Sequence, residues 1–135
     1  MFGFGFNKAK LKPNLKMAVH RLQIAANKKT NLIKNQKKEI ATLLNEKPPK
    51  EEKARIRAEA LIREDFTIEA YEIIELQCDL LHERMRLIES VPTCPPDLIS
   101  CVQTLMWSSI RVDIPELIEV KKQLTLKYGK PFAEQ

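Results

Sequence analysis

The fold is decided by the stretch ARIRAEALIREDFTIEAYEIIELQCDLLHERMRLIES, residues 54–90, which contains neither glycine nor proline. Its dominant residue types, Ile, Leu, Ala, Glu and Arg, lose little free energy on entering a helix. At about 1.5 Å per residue, one helix over this stretch is about 55 Å long. The stretch therefore predicts a helical rod on which the other elements pack.

The apolar side chains of this rod form two adjacent stripes. A single coiled-coil seam is narrower than two stripes, so we expect the rod to bury about half of its circumference, with a different neighbour on each side. The first stripe comprises Ile62, Phe66, Ile73, Leu76, Leu80 and Leu87, and the second comprises Ala70, Ile74, Leu81, Met85 and Ile88.

Length and composition predict one all-α domain. The chain has 135 residues, of which 44% are apolar and 30% are charged, as in an ordinary soluble helical protein. The glycines are Gly3, Gly5 and Gly129, which excludes a glycine-rich phosphate loop in the interior. No apolar run approaches the roughly 18 residues that span a bilayer.

No catalytic constellation can be found in the sequence. Asp79 and His82 resemble one half of a di-iron site, but such a site needs two pairs and two further carboxylates, and the other histidine is His20. The three cysteines lack C-x-x-C spacing, which indicates buried or idle thiols in a reducing cytosol and no zinc site. We therefore expect no enzyme activity, and no catalytic, cofactor or metal-binding residues.

The charge of +5 is distributed unevenly along the chain. Residues 1–47 carry 11 of the 23 basic residues but only 2 of the 18 acidic ones, a net charge of +9, whereas the remainder has a net charge of −4. This asymmetry indicates either an anionic surface as partner or head-to-tail attraction between copies.

Three phenylalanines, Phe2, Phe4 and Phe6, alternate with glycine at the amino terminus. We interpret residues 1–12 as a flexible aromatic and basic segment, ahead of a single helical domain over 13–135. The segment is either a frayed terminus or an aromatic wedge that enters a membrane interface when the basic helix behind it docks.

The first helix is expected over residues 13–46, because Pro13 suits a first helical turn and apolar residues recur at helical spacing from Leu11 to Leu43. No acidic residue interrupts its basic residues from Lys8 to Lys38. We interpret its polar side as a membrane or polymer contact rather than a merely solvated face. Lys12, Lys16, Lys34 and Lys38 share one flank, with Arg21 and Lys28 on the other.

The second helix is expected over residues 50–90, and the short turn at residues 47–50 predicts an antiparallel hairpin with the first. Two shorter helices, 97–110 and 114–128, are expected to cover the second stripe of the rod. Asp113 to Glu116 resembles a capping box with a proline in the first turn, and Gly129 ends the last helix. Trp107 is predicted to lie in the core.

The chain resembles the increased-sodium-tolerance branch of the ESCRT-III family over almost its whole length. The runs that carry the resemblance are Ala54–Asp65, Ile68–Leu81, Gly5-Phe6, Leu11, Asn14-Leu15, Arg21-Leu22, Lys28-Lys29-Thr30, Leu105-Met106-Trp107, Glu116-Leu117 and Lys127-Tyr128-Gly129-Lys130.

The resemblance implies an ESCRT-III-like helical bundle without catalytic activity. It implies filament assembly with subunits of the charged-multivesicular-body-protein-one type and regulation of the vacuolar-sorting AAA ATPase. The implied roles are endosomal sorting, membrane scission and abscission, in the cytoplasm, on endosomal membranes and at the midbody. The chain stops at Gln135, where the family domain continues to a further helix. We expect either a truncated chain or a reduced member, whose contact with the ATPase is indirect.

Two functions of different class follow. The leading hypothesis is an assembly subunit that contacts anionic membrane or acidic neighbours through the basic helix, with the phenylalanines as anchors. The alternative is an adaptor that binds a partner's helical tail in a groove, without direct membrane binding. Specific nucleic-acid binding is not expected, because the lysines lack interleaved aromatic residues.

Overall fold

Five helices and one 3-10 turn account for most of residues 5–129, which the computed structural model describes. No strand is found in that part of the chain, so the predicted all-α class is confirmed. The elements are α1 (Lys8–Asn45), α2 (Glu51–Glu83), α3 (Met85–Ser90), a 3-10 turn (Pro96–Leu98), α4 (Ile99–Ser108) and α5 (Pro115–Tyr128).

The described residues divide into two units, 5–22 with 73–129, and 23–72. The first unit, called the core unit below, contains most of the buried apolar side chains. Each of its helices contributes one face at helical spacing, which is how amphipathic helices exclude water from a shared interior. Its fully buried residues include Leu11, Leu15, Leu22, Leu81, Ile88, Leu98, Leu105, Leu117 and Leu124.

The second unit, residues 23–72, is an antiparallel hairpin formed by the end of α1 and the start of α2. The antiparallel direction is visible in its ion pairs, since Lys29 bonds Glu64 at 2.7 Å and the later Glu39 bonds the earlier Arg57 at 2.9 Å. The hydrogen bond to Glu64 raises the pKa of Lys29. Ile33 is one of the buried side chains here. The predicted hairpin is confirmed.

Helix α1 begins at Lys8, five residues before the predicted start at Pro13. The cause is Asn7, whose side-chain oxygen accepts a hydrogen bond from the Ala9 amide at 2.9 Å and so satisfies an amide of the first turn. Pro13 lies inside the helix as a result. The predicted domain organisation, with a flexible segment over residues 1–12 and a single helical domain over residues 13–135, stays a prediction.

The rod is not one uninterrupted helix to residue 90, as the sequence predicted. At Arg84 the backbone leaves the α region, with φ −97° and ψ 16°. Its amide is shared between the carbonyls of Leu80 and Leu81, at 3.1 and 3.2 Å, which is a tight 3-10-like turn. The Arg84 side chain reaches Asp97 at 3.2 Å. Helical bonding resumes at once, because the Ile88 amide bonds the Arg84 carbonyl.

The two stripes of the rod differ in how far their side chains are exposed to solvent. All members of the second stripe are buried except Ala70, which is exposed. In the first stripe, by contrast, every member but Leu80 is at least 39% exposed. The expectation that both stripes are covered is therefore wrong for the described residues. In the core unit α4 lies on the buried side, where the Cys101 thiol donates to the Gln77 carbonyl at 3.3 Å.

Trp107 was expected in the core, but its side chain is 60% exposed. The buried face of α4 contains Val102, Leu105 and Met106. Trp107 follows Leu105 by about 200° around the helix axis, which places it on the opposite side. Arg111 covers one face of the ring at 4.2 Å from its centroid.

Helix α5 begins and ends near the predicted residues, but the hydrogen bonding at its N-terminus differs from the prediction. Pro115 occupies the first turn as expected, and Ile114 is the N-cap without a side-chain cap hydrogen bond. The predicted capping box is therefore wrong, because Glu116 instead bonds Arg21 at 2.8 Å. Gly129 ends the helix with φ 95°, a conformation that favours glycine, and its amide bonds the Thr125 carbonyl at 2.7 Å.

All three thiols are free. Burial raises the pKa of Cys78 to about 12 and the pKa of Cys101 to about 11. Because the thiolate is the reactive form, these two side chains are inert packing groups at neutral pH, as the sequence indicated.

We predict that Leu117→Ala lowers the free energy of unfolding by about 2–5 kcal/mol, because it empties a fully buried site. The adjacent Ile118 is 60% exposed, so Ile118→Ala should change it by only about 0.5 kcal/mol or less. Urea unfolding followed by circular dichroism measures both. Equal losses in the two variants would contradict the assigned buried face of α5.

Candidate functional site

The basic residues of α1 in the core unit include a neighbouring pair. Lys12 and Lys16 are one turn apart and exposed. No acidic side chain within residues 5–129 lies at ion-pair distance from either. An apolar hollow of about 350 Å³ adjoins Lys16 and is also lined by Pro13, Met17 and His20. Positive charge and exposed apolar surface therefore lie side by side on one face of the helix.

The hairpin unit carries its own basic pair. Lys34 and Lys38 are again one turn apart and exposed, and Lys28 is exposed as well. Among the described residues, none of the three has an ion-pair partner, in contrast to Lys29, which bonds Glu64. Lys28, Lys34 and Lys38 are thus left to solvent on the α1 side of the hairpin, where exposed positive charge favours an anionic partner.

Arg21, predicted as part of the same contact surface, forms an ion pair within the core unit. Its Nε lies 2.8 Å from Oε2 of Glu116, whose side chain is only 15% exposed. The pair joins α1 to the start of α5. A role for Arg21 in membrane or polymer contact stays a prediction, and the structure gives its guanidinium an internal partner.

Phe2 and Phe4 lie outside the described residues. Phe6, the third residue of the predicted membrane wedge, is half-buried against α5. The Nζ atom of Lys127 lies 5.3 Å from the centroid of its ring, within the range of a cation–π contact. This contact joins residues far apart in the sequence, so no periodic pattern indicated it.

A second candidate surface lies on α2 in the core unit and is called the α2 apolar face. It consists of Ile73, Leu76 and Leu80, which share one side of the helix, and Leu87 of α3 belongs to the same stripe of the sequence. Ile73 is 55% exposed and Leu76 is 66% exposed, and Leu80 is half-buried. The sequence assigned these residues to a covered stripe. Their exposure makes the face a candidate docking surface for an apolar partner.

Among the described residues there is no group of histidine, cysteine and carboxylate side chains suited to hold a metal ion. His82 is half-buried and Asp79 is exposed. None of the helices in the described range has the length and apolarity that crossing a bilayer requires.

Comparison with known proteins finds relatives that all point to one family. Residues 12–135 match the family described as "Ist1: Regulator of Vps4 activity in the MVB pathway". An IST1-like protein of Dictyostelium discoideum is 47% identical over 96% of this chain and 35% of its own length. Vacuolar protein sorting-associated protein IST1 of Saccharomyces cerevisiae is 33% identical over 91% of this chain and 44% of its own length.

The fold is also similar to a solved structure. That structure is the N-terminal domain of Saccharomyces cerevisiae Ist1 in complex with the MIM motif of Did2, with a TM-score of 0.83 and 31% identity over 93% of this chain and 71% of that chain. The present chain spans less than half the length of the curated relatives given above.

The family is regulatory and ESCRT-III-like, and it is not a family of enzymes. This agrees with the expectation drawn from the histidines and cysteines of the sequence. The match extends over nearly all of the chain, and it includes α1 from Lys12 and all of the later helices. We conclude that this chain belongs to the Ist1 family, whose description is regulator of Vps4 activity in the multivesicular body pathway.

Proposed function

We propose that this chain is an ESCRT-III-like assembly subunit whose basic α1 residues bind an anionic membrane or an acidic neighbouring subunit. The observation that carries the proposal is the exposure of Lys12, Lys16, Lys34 and Lys38 without acidic partners in the described part of the chain. Near an anionic lipid surface each such residue contributes about 1 kcal/mol, so a few of them together give modest, salt-sensitive binding.

The uneven charge of the chain supports assembly as well as membrane contact. Residues 1–47 have a net charge of +9 and the remainder −4, so the basic part of one copy attracts the acidic part of the next. A head-to-tail contact that does not close into a ring produces a filament. The proposed partners in such a filament are subunits of the charged-multivesicular-body-protein-one type.

The proposed setting is the cytoplasmic surface of endosomal membranes, and the midbody during abscission. There the filament takes part in endosomal sorting and membrane scission and regulates the Vps4 ATPase, with which this chain makes indirect contact through its partner subunits. The family description supports the pathway and the regulatory role.

We predict that Lys16→Glu, Lys34→Glu and Lys38→Glu together abolish sedimentation with phosphatidylserine vesicles and abolish filaments in electron micrographs. Repulsion from the lipid phosphates replaces attraction, while all three positions are exposed, so the helical circular dichroism spectrum should be unchanged.

The matched control reverses three other exposed lysines, Lys47, Lys53 and Lys122, with the same change in net charge. It should retain vesicle binding and filaments. Undiminished binding by the first variant, or an equal loss in the control, would contradict a specific basic surface on α1.

A second candidate function is that of an adaptor for a partner helix. The α2 apolar face favours it, because exposed aliphatic residues on one side of a helix suit the apolar side of an amphipathic peptide. The similar Ist1 domain of Saccharomyces cerevisiae was solved in complex with the MIM motif of Did2. We propose that a motif of this kind binds the α2 apolar face.

We predict that Ile73→Asp with Leu76→Asp weakens binding of a labelled Did2 MIM peptide at least about tenfold, measured by fluorescence anisotropy, because buried aliphatic anchors are lost. Ile110→Asp is the control, since Ile110 is 70% exposed and lies beyond α4. The triple lysine variant should bind the peptide normally. Wild-type affinity of the Ile73 and Leu76 variant would exclude this face as the peptide site.

A further inference from the structure

Two buried polar side chains of α5 face the amino-terminal segment. Gln123 is 1% exposed and Lys127 is 9% exposed, although residues of both types usually lie in solvent. They are four residues apart and so share one side of the helix. The Asn7 amide donates a hydrogen bond to Oε1 of Gln123 at 2.9 Å, and the ring of Phe6 lies 5.3 Å from Nζ of Lys127.

Gly5 also lies close to α5, next to Leu126. A Cβ atom built at Gly5 would lie 3.8 Å from Cδ2 of Leu126, which is ordinary van der Waals distance. The φ of Gly5 is 85°, a conformation that glycine adopts without strain. Three consecutive residues, 5 to 7, therefore lie against α5. We call residues 5–7 the amino-terminal latch.

The latch is attached more weakly than the helix that follows it. Its polar contacts with α5 are one neutral hydrogen bond and one cation–π contact, both modest interactions in water, whereas Asn7 also caps α1 through its side chain and carbonyl. Helix α1, in contrast, is anchored by the buried Leu11 and Leu15 and by an ion pair of Lys8 with Glu89 at 3.1 Å. Loss of the contacts between residues 5–7 and α5 therefore leaves α1 and its Asn7 cap in place.

Phe6 has two mutually exclusive environments. Its ring cannot lie against Lys127 and also enter the headgroup region of a lipid bilayer, where aromatic side chains are favoured. A lipid surface that binds only the released state shifts the equilibrium toward release, and any change that stabilises the latch weakens lipid binding by the same factor.

We propose that residues 5–7 form an autoinhibitory latch, which holds Phe6 on α5 and withholds it from anionic membranes until the contacts with Gln123 and Lys127 are broken. This inference rests on the proposed membrane-binding function, because the lipid surface is the partner that competes for Phe6. It adds to that function a closed and a released state of the amino terminus.

The test uses the whole chain with Gln123→Leu and Lys127→Met, which remove the hydrogen-bond acceptor and the cation. The control is Lys122→Met, which removes one positive charge from an exposed position of the same helix. Hydrogen exchange of the Asn7 amide, followed by NMR without lipid, reports the latch itself. Sedimentation with mixed phosphatidylcholine and phosphatidylserine vesicles at high salt reports the insertion of Phe6.

We expect the Asn7 amide to exchange roughly tenfold faster in the release variant than in the control, because its hydrogen-bond acceptor is gone. Vesicle binding should increase although a positive charge has been lost, and adding Phe6→Ser should abolish the increase. Loss of positive charge alone would weaken vesicle binding, whereas release of Phe6 would strengthen it. The sign of the change therefore separates these two effects.

Unchanged exchange of the Asn7 amide would overturn the latch, whatever the vesicles show. Faster exchange without stronger vesicle binding, or with an increase that survives Phe6→Ser, would overturn its autoinhibitory role. If the proposed membrane function is wrong, the wild-type chain will not bind vesicles at low salt. The exchange of the Asn7 amide is measured without lipid, so it tests the latch independently of that result.

Discussion

The packing of one stripe of α2 into the core unit is the constraint on which the other features depend. Ile74 and Leu81 of α2 are buried, and so is Ile88 of α3. Within the core unit, these residues and the apolar side of α1 determine which sides of the helices face the interior. Once these sides face inward, the polar side of α1 faces solvent with its lysines, and the other stripe of α2 is left exposed. Both candidate binding surfaces thus follow from a single choice of what is buried.

The sequence predicted the helical class, the hairpin, and the proline start and glycine end of α5. These features depend on local chemistry, on helix propensity and on hydrophobic spacing. The spacing of apolar residues shows which of them share a side of a helix, but it does not show which sides of that helix pack against another helix. For that reason Ile73 and Leu76 were assigned to a covered stripe, and Trp107 was placed in the core although its position on α4 is opposite to Leu105.

Contacts between distant parts of the chain were not predictable from local patterns. Arg21 with Glu116, Asn7 with Gln123 and Phe6 with Lys127 each join residues about 100 positions apart. These contacts refine the predicted basic and aromatic surface. Arg21 has an internal partner, the lysines at positions 12, 16, 34 and 38 remain available in the described part of the chain, and Phe6 is held on α5.

The proposed role of the unpaired lysines of α1 is to recognise an anionic surface. The most direct measurement is sedimentation of the wild-type chain with vesicles of increasing phosphatidylserine content, at low and at high salt. We expect binding to rise with anionic content and to fall with salt, because the Debye length shrinks from about 10 Å at 0.1 M to about 3 Å at 1 M ionic strength. Equal binding to neutral and anionic vesicles, or binding unaffected by salt, would contradict it.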